Sequence, residues 1–436
     1  MENTLHSWCR IELCQILVVM MRSVLRGEPW CLTLHLLPSQ RPTTHNNKEM
    51  SERQAPEIPN LLSLRGTRGG RGRGQGGRFG AEGSSSSSAS KDRIVQQTDQ
   101  DASLSRMSAV TLGYLSDAFA QHFAQGETPK RYPIINRGTY IRTTAIDELV
   151  NRFLATDPET EKQIISLGAG SDTRYFRLVS RDSSLKVVYH ELDFETNTRA
   201  KVAAIKRSPE LLKAIHDHLK SHSDSDAELQ ISADGSTLQS TVYNIHAIDL
   251  RTLAASTPES MPKLLNISPT SPTLLLSECC LIYLPPVAAD AVLKTFTTRI
   301  IPPSTPCATM IYEPIRPFDP FGQVMISNLA QRGIVLQTLQ KYSSLHAQKL
   351  RLKNAGLNSG QEAADVDFLM ERWVSERERE RVGRCEMLDE LEEWVLLARH
   401  YCVAWGWRDG EGEAGSLFGR AWGGLPVQED DGGEVG

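Results

Sequence analysis

Through the middle of the chain, short unbroken apolar runs alternate with longer stretches in which apolar residues recur every three or four positions. The runs read as strands buried on both faces and the stretches as amphipathic helices. Their alternation predicts a mostly parallel sheet covered by helices on both sides. Strands are expected at 163–167, 186–192, 242–248, 273–278, 308–313 and 401–405. A helix is expected over 144–156, where Ile146, Leu149, Val150, Phe153 and Leu154 share one stripe, and another where Leu388, Leu391, Trp394, Val395 and Ala398 do so. The polar stretch 210–240 reads as a surface excursion.

Polar residues suited to a ligand gather where these strands end. Ile164-Ile165-Ser166-Leu167 empties into Gly168-Ala169-Gly170, and glycine lets the backbone turn and approach a ligand where a Cβ would clash. Asp193 closes the next strand, 25 residues after Gly168. From that place a carboxylate grips the hydroxyl pair of a ribose in a nucleotide-binding βαβ unit. The third glycine of the dinucleotide fingerprint is missing, and no basic residue stands in the turn to meet a pyrophosphate, so a nucleoside without phosphates is favoured. S-adenosylmethionine fits. Asp249 and Glu278 also fall at the carboxyl ends of expected strands, the edge on which open α/β sheets bind ligands. Each residue has a plainer reading: the glycines as helix packing, Asp249 as the N-cap of a helix starting near Arg251, Glu278 as a solvent-facing strand end.

Composition sets the limits of the folded part. Residues 65–92 read as Arg-Gly repeats followed by a serine run, too poor in apolar groups to offset the entropy of ordering. The expected organisation is a disordered leader over 1–98, one catalytic domain over 99–407 and a flexible Gly- and acid-rich tail over 408–436. The net charge of −5 argues against a nucleic-acid-binding core. Arg65, Arg68, Arg71, Arg73 and Arg78 among glycines suit weak RNA contact, with a plain flexible leader as the alternative. Eight scattered cysteines give neither a disulfide framework nor metal-ligand spacing, so no metal is expected, and a reducing cytoplasm or nucleus is the expected compartment. The apolar run 11–21 is too short to span a membrane and contains Glu12 and Gln15, so no membrane association is expected. Translation is expected to start at Met50 rather than Met1.

A series of short motifs, in order along the chain, then becomes specific. They are Asp101-Ala102-Ser103-Leu104, Ile135-Asn136-Arg137-Gly138 with Arg142, Leu167-Gly168-Ala169-Gly170, Glu191-Leu192-Asp193-Phe194, Asp249-Leu250, Ser277-Glu278-Cys279, Arg316-Pro317-Phe318-Asp319-Pro320-Phe321-Gly322-Gln323-Val324-Met325 and Arg399-His400-Tyr401-Cys402. In these the chain resembles the leucine carboxyl methyltransferase family over residues 99–407. The resemblance implies a class I S-adenosylmethionine-dependent methyltransferase: a Rossmann-like α/β sheet with helices on both faces and a helical lid. It implies methyl esterification of the C-terminal leucine carboxylate of the type 2A protein phosphatase catalytic subunit by a monomeric enzyme.

Carried over residue by residue, the resemblance implies cofactor contacts at Arg106, Arg142, Gly168, Asp193, Asp249, Leu250 and Glu278. The family has a lysine where Arg106 stands, and a forked guanidinium does not replace a compact ammonium in shape. Arg142 takes a second expected role, orienting the substrate carboxylate. No catalytic acid or base is assigned, because a C-terminal carboxylate with pKa ~3.5 is already ionised at neutral pH. Tyr283 is expected in the wall near the methyl group, with a buried packing aromatic as the plainer reading. Segments 99–141 and 314–375 are expected to form the lid and docking surface outside the sheet, and removal of residues 1–98 is expected to spare cofactor affinity. The competing readings are a related methyltransferase acting on a modified tRNA guanosine, which would want a β-propeller not expected here, and a non-enzymatic scaffold, which would want a damaged cofactor site.

Overall fold

Strand β1 (Lys162–Leu167) is buried along its whole length, as befits an apolar run with a neighbour on each side. In the computed structural model it pairs in parallel with β2 (Val187–Asp193) on one side and β6 (Thr273–Glu278) on the other. Beyond β2 lie β5 (Tyr243–Ala247), in parallel, and the two-residue strands β4 (Leu238–Gln239) and β3 (Gln230–Ile231). Beyond β6 lies β7 (Cys307–Pro314), then β9 (Tyr401–Arg408), antiparallel to both β7 and the edge strand β8 (Gly360–Asp365). The sheet therefore reads β3-β4-β5-β2-β1-β6-β7-β9-β8. The structure describes residues 85–126, 130–222, 228–257, 259–389, 391–410 and 417–429. The Arg-Gly repeats, the apolar run 11–21 and Met50 lie outside them.

Each face of the sheet carries its own apolar core, so the expected α/β sheet with helices on both sides is present. One face packs α2 (Pro133–Ala155), α3 (Arg174–Arg181) and α5 (Pro209–His222), with Ile146, Leu149, Phe153, Phe176 and Ile215 fully buried. The other packs α6 (Leu250–Ala255) and the helices Pro286–Lys294 and Leu345–Asn354 through Leu253, Val292 and Leu352. Between α3 and α5, helix α4 (Glu195–Arg207) follows β2. Because the core strands run parallel in register, their carboxyl ends form one edge, with Leu167 opposite both Leu192 and Ser277.

Four expectations are corrected. Helix α1 (Ser85–Thr111) runs through residue 98, so order begins before the expected domain boundary and takes in the last residues of the serine-rich stretch. The stretch 210–240 is no surface excursion: α5 buries Leu211, Ile215 and Leu219, and β3 and β4 extend the sheet. Segment 314–375 contributes β8, a hydrogen-bonded member of the sheet.

The tail is the fourth. The Arg408 side chain donates to the carbonyl oxygens of Thr297, Ile301, Pro302 and Thr305. The helix Leu417–Trp422 buries Leu417, Phe418, Ala421 and Trp422 against α2. Phe418 stacks on Phe153 with ring centroids 4.9 Å apart, and Trp422 Nε1 donates to the Leu149 carbonyl at 3.0 Å. Trp422→Ala is therefore expected to lower stability by about 3–5 kcal/mol, the usual cost of emptying a buried tryptophan site. Urea denaturation checks this, and a loss under about 0.5 kcal/mol would return the tail to the loose state its composition suggested.

Candidate active site

The carboxyl ends of β1, β2, β5 and β6 open into a cavity of about 640 Å³, a volume suited to a nucleoside-sized ligand. Helix α1 lines one side through Asp92, Val95, Thr98, Asp99 and Arg106, and the first half of α2 lines another through Ile134, Gly138 and Arg142. The helix expected from residue 144 therefore begins earlier, at Pro133, and this added first half borders the cavity.

Gly168 forms the floor at φ +67°, the left-handed region that side chains disfavour, and a Cβ there would lie 2.6 Å from Cys280 Sγ. Gly168→Ala is expected to bring about 1–3 kcal/mol of backbone strain, apart from the clash, and to weaken ligand binding. Unchanged calorimetric affinity together with an unchanged denaturation midpoint would remove Gly168 from the site. Cys279 is also left-handed, at φ +49°, so the turn after Glu278 is held in a strained form by its surroundings.

Asp193 is built into the glycine turn. Its Oδ2 accepts from the Gly170 amide at 2.7 Å, and its Oδ1 from the Phe194 amide at 2.7 Å and Asn197 Nδ2 at 3.0 Å. Burial pushes its carboxyl up to about 6; the Gly170 amide pulls the other way, and the nearby Asp99 carboxylate adds to the rise.

For Asp249 the cap and the ligand reading hold together. Its Oδ1 accepts from the Arg251 amide at 2.9 Å, capping α6, while it and Leu250 line the cavity. The Arg251 guanidinium bridges Asp249 to Asp92 on α1, at 2.6 and 2.7 Å. Cutting the chain at residue 98 would remove Asp92, so the expectation that such a truncation spares the cofactor site is withdrawn.

Glu278 faces inward. Its Oε2 pairs with Arg142 Nε and its Oε1 with Arg174 Nη1, both at 2.8 Å. Burial opposes its ionisation, but Arg174 and Arg142 together hold its carboxyl below the ordinary value. Arg174, 2 % exposed, also pairs with Asp147 and Asp172, so the pair belongs to a larger buried network. The Arg142 guanidinium lies 4.8 Å above the ring of Tyr312, which stacks on Tyr401. Arg106 is fixed by Asp117 at 2.7 Å and Thr143 at 3.2 Å, while its Nη2 is buried with no hydrogen-bond partner among the described residues. An unpaired buried donor is costly, and a ligand carboxylate would satisfy it.

All seven expected cofactor residues line this one cavity, as does Tyr283. Arg251, Arg174 and Asp99 escaped the sequence pattern, and each has a partner far away along the chain.

The leucine carboxyl methyltransferase family model matches residues 86–297. Leucine carboxyl methyltransferase 1 of Aspergillus fumigatus is 53% identical over 349 residues, 76% of this chain and 86% of the relative. The chain belongs to the leucine carboxyl methyltransferase family. More distant relatives of the same name, from Schizosaccharomyces pombe and Bos taurus, are 36% and 35% identical over 71% and 73% of this chain and 93% and 91% of their own lengths. The family membership bears out the resemblance read from the motifs and makes the protein a methyltransferase.

Its cofactor is S-adenosylmethionine, and the residues expected to contact it line a single cavity in which Arg106 keeps a spare buried donor.

Proposed function

We propose that this leucine carboxyl methyltransferase esterifies the C-terminal leucine carboxylate of the type 2A protein phosphatase catalytic subunit. The observation that carries the reading is the state of Arg142. Glu278 holds its Nε, its two terminal nitrogens have no hydrogen-bond partner among the described residues, and the cavity it lines also has apolar wall from Ile134, Trp394 and Leu397. A planar guanidinium with two parallel N–H groups suits a carboxylate, and the apolar wall suits a leucine side chain.

S-adenosylmethionine, when bound, supplies an electrophilic methyl group. That methyl would pass to the substrate carboxylate oxygen, with the electron pair of the methyl–sulfur bond left on sulfur. No proton moves, so no general base is needed. What the residues supply is position: Arg142 fixes the carboxylate, the Glu278 pair fixes Arg142, and α1 keeps water from the nucleophile. The reading includes a monomeric enzyme in a reducing cytoplasmic or nuclear compartment.

The test incubates the protein with methyl-labelled S-adenosylmethionine and intact type 2A phosphatase, beside a phosphatase lacking its terminal leucine. Base-labile label is expected on the intact copy alone. Equal transfer to both, or transfer to neither by a protein that binds the cofactor, rejects the substrate.

A further inference from the structure

We propose that Asp99, carried by α1, is a cofactor-binding residue that receives the α-ammonium group of S-adenosylmethionine; the inference rests on the cofactor assignment above. Several carboxylates line the cavity. Both oxygens of Glu278 are held by arginines, and both oxygens of Asp92 and Asp249 are held by Arg251. Asp172 is held by Arg174, Asp101 pairs with Arg131 and Arg332, and Asp193 is committed to the Gly170 and Phe194 amides. Asp99 differs. Its Oδ1 accepts from the Ser171 amide and the Ser171 hydroxyl, each at 2.7 Å, while its Oδ2 has no partner among the described residues.

The glycine turn is shaped around this side chain. Gly170 sits at φ +45°, and the three atoms nearest to where a Cβ would stand all belong to Asp99. Gly170 therefore lacks a side chain in order to admit this one. Asp99 and Asp193 then bind the consecutive amides of Ser171 and Gly170, and among the described residues neither carboxylate has a cationic side chain paired with it. Two neighbouring carboxylates in a partly desolvated cleft leave a place for a cation. The ligand portion that passes the glycine turn carries one in its ammonium group. With both Glu278 oxygens taken by guanidinium groups, Asp99 is the better-placed acceptor. Because Asp99 belongs to α1, the ammonium would also seat that helix over the cavity.

The test is a cycle on the full-length protein, measured by titration calorimetry with S-adenosylhomocysteine and with its analogue lacking the amino group. The wild-type protein is expected to prefer the amino form by about 10- to 100-fold, the range of a charged hydrogen bond. Asp99→Asn keeps an acceptor for Ser171 and removes the charge, and is expected to shrink that preference below about threefold. Undiminished preference in the variant overturns the proposal, as does a wild-type preference below about threefold, a result that needs no variant to fold. Loss of affinity for both ligands by the same factor also overturns it, because that is the mark of a merely structural seat. A wild-type protein that binds neither ligand sinks the cofactor assignment itself.

Discussion

Asp193→Ala is expected to weaken S-adenosylmethionine binding by about 100-fold or more, the equivalent of two hydrogen bonds to a charged group. The variant removes the acceptor for the ribose hydroxyls and releases the Gly170 amide from the Asp193 carboxylate at 2.7 Å. The turn under the ligand therefore loosens together with the contact above it. Titration calorimetry on the folded variant measures the effect, and a loss smaller than about fivefold would show that Asp193 supports the turn without touching the ribose.

Asp193 also gives the affinity a pH dependence. Burial lifts its carboxyl from the ordinary 3.8 to about 6. Between those values the empty folded state binds more protons than the unfolded chain, so this group's contribution to stability falls as pH rises from 3.8 to 6. Ribose hydroxyls donate to the ionised carboxylate, so the sign for the ligand is opposite: affinity should fall as pH is lowered through about 6 and level off above 7. Asp193→Asn should flatten that profile. A wild-type profile without a break near 6 would mean that the ligand does not read this carboxylate's charge.

The strands were legible because a buried parallel strand is a nearly continuous apolar run, and 273–278 coincides with the observed Thr273–Glu278. Their carboxyl ends gave Gly168, Asp193, Asp249 and Glu278 for the same reason: once strands are placed, the ligand edge is fixed. The contacts that complete the site were hidden by sequence distance. Asp92 meets Arg251 across 159 positions, Arg142 meets Glu278 across 136, and Asp99 meets Ser171 across 72. No local pattern marks such partners. Helix α1 was missed because Asp92, Asp99, Ser103 and Ser105 border a cavity instead of a core, and so leave no apolar stripe. The tail was missed for a different reason. Averaging over a Gly- and acid-rich segment diluted Leu417, Phe418, Ala421 and Trp422, one buried patch on a six-residue helix.

Arg142→Ala is expected to lower kcat/KM by about 1000-fold, because it removes two charge-assisted hydrogen bonds to the substrate carboxylate, each worth about 1.5–3 kcal/mol, and takes one arginine from its partner carboxylate. The partner is Glu278, which would retain only Arg174, itself already shared with Asp147 and Asp172. Arg142→Lys is the sharper variant, since it preserves the charge. A guanidinium pairs with Glu278 through Nε, lies over the Tyr312 ring and still offers two terminal nitrogens; an ammonium has one nitrogen for all three tasks. Lysine should therefore recover less than about a tenth of the lost activity. Recovery to within tenfold of wild type would show that Arg142 acts only as a positive charge, and the fork assigned to the substrate carboxylate would have to be given up. Steady-state kinetics on both variants, with cofactor affinity measured separately, separates the two possibilities. If Arg142 aligns the nucleophile, the deficit persists at saturating cofactor; if it serves the cofactor alone, saturating cofactor restores the rate.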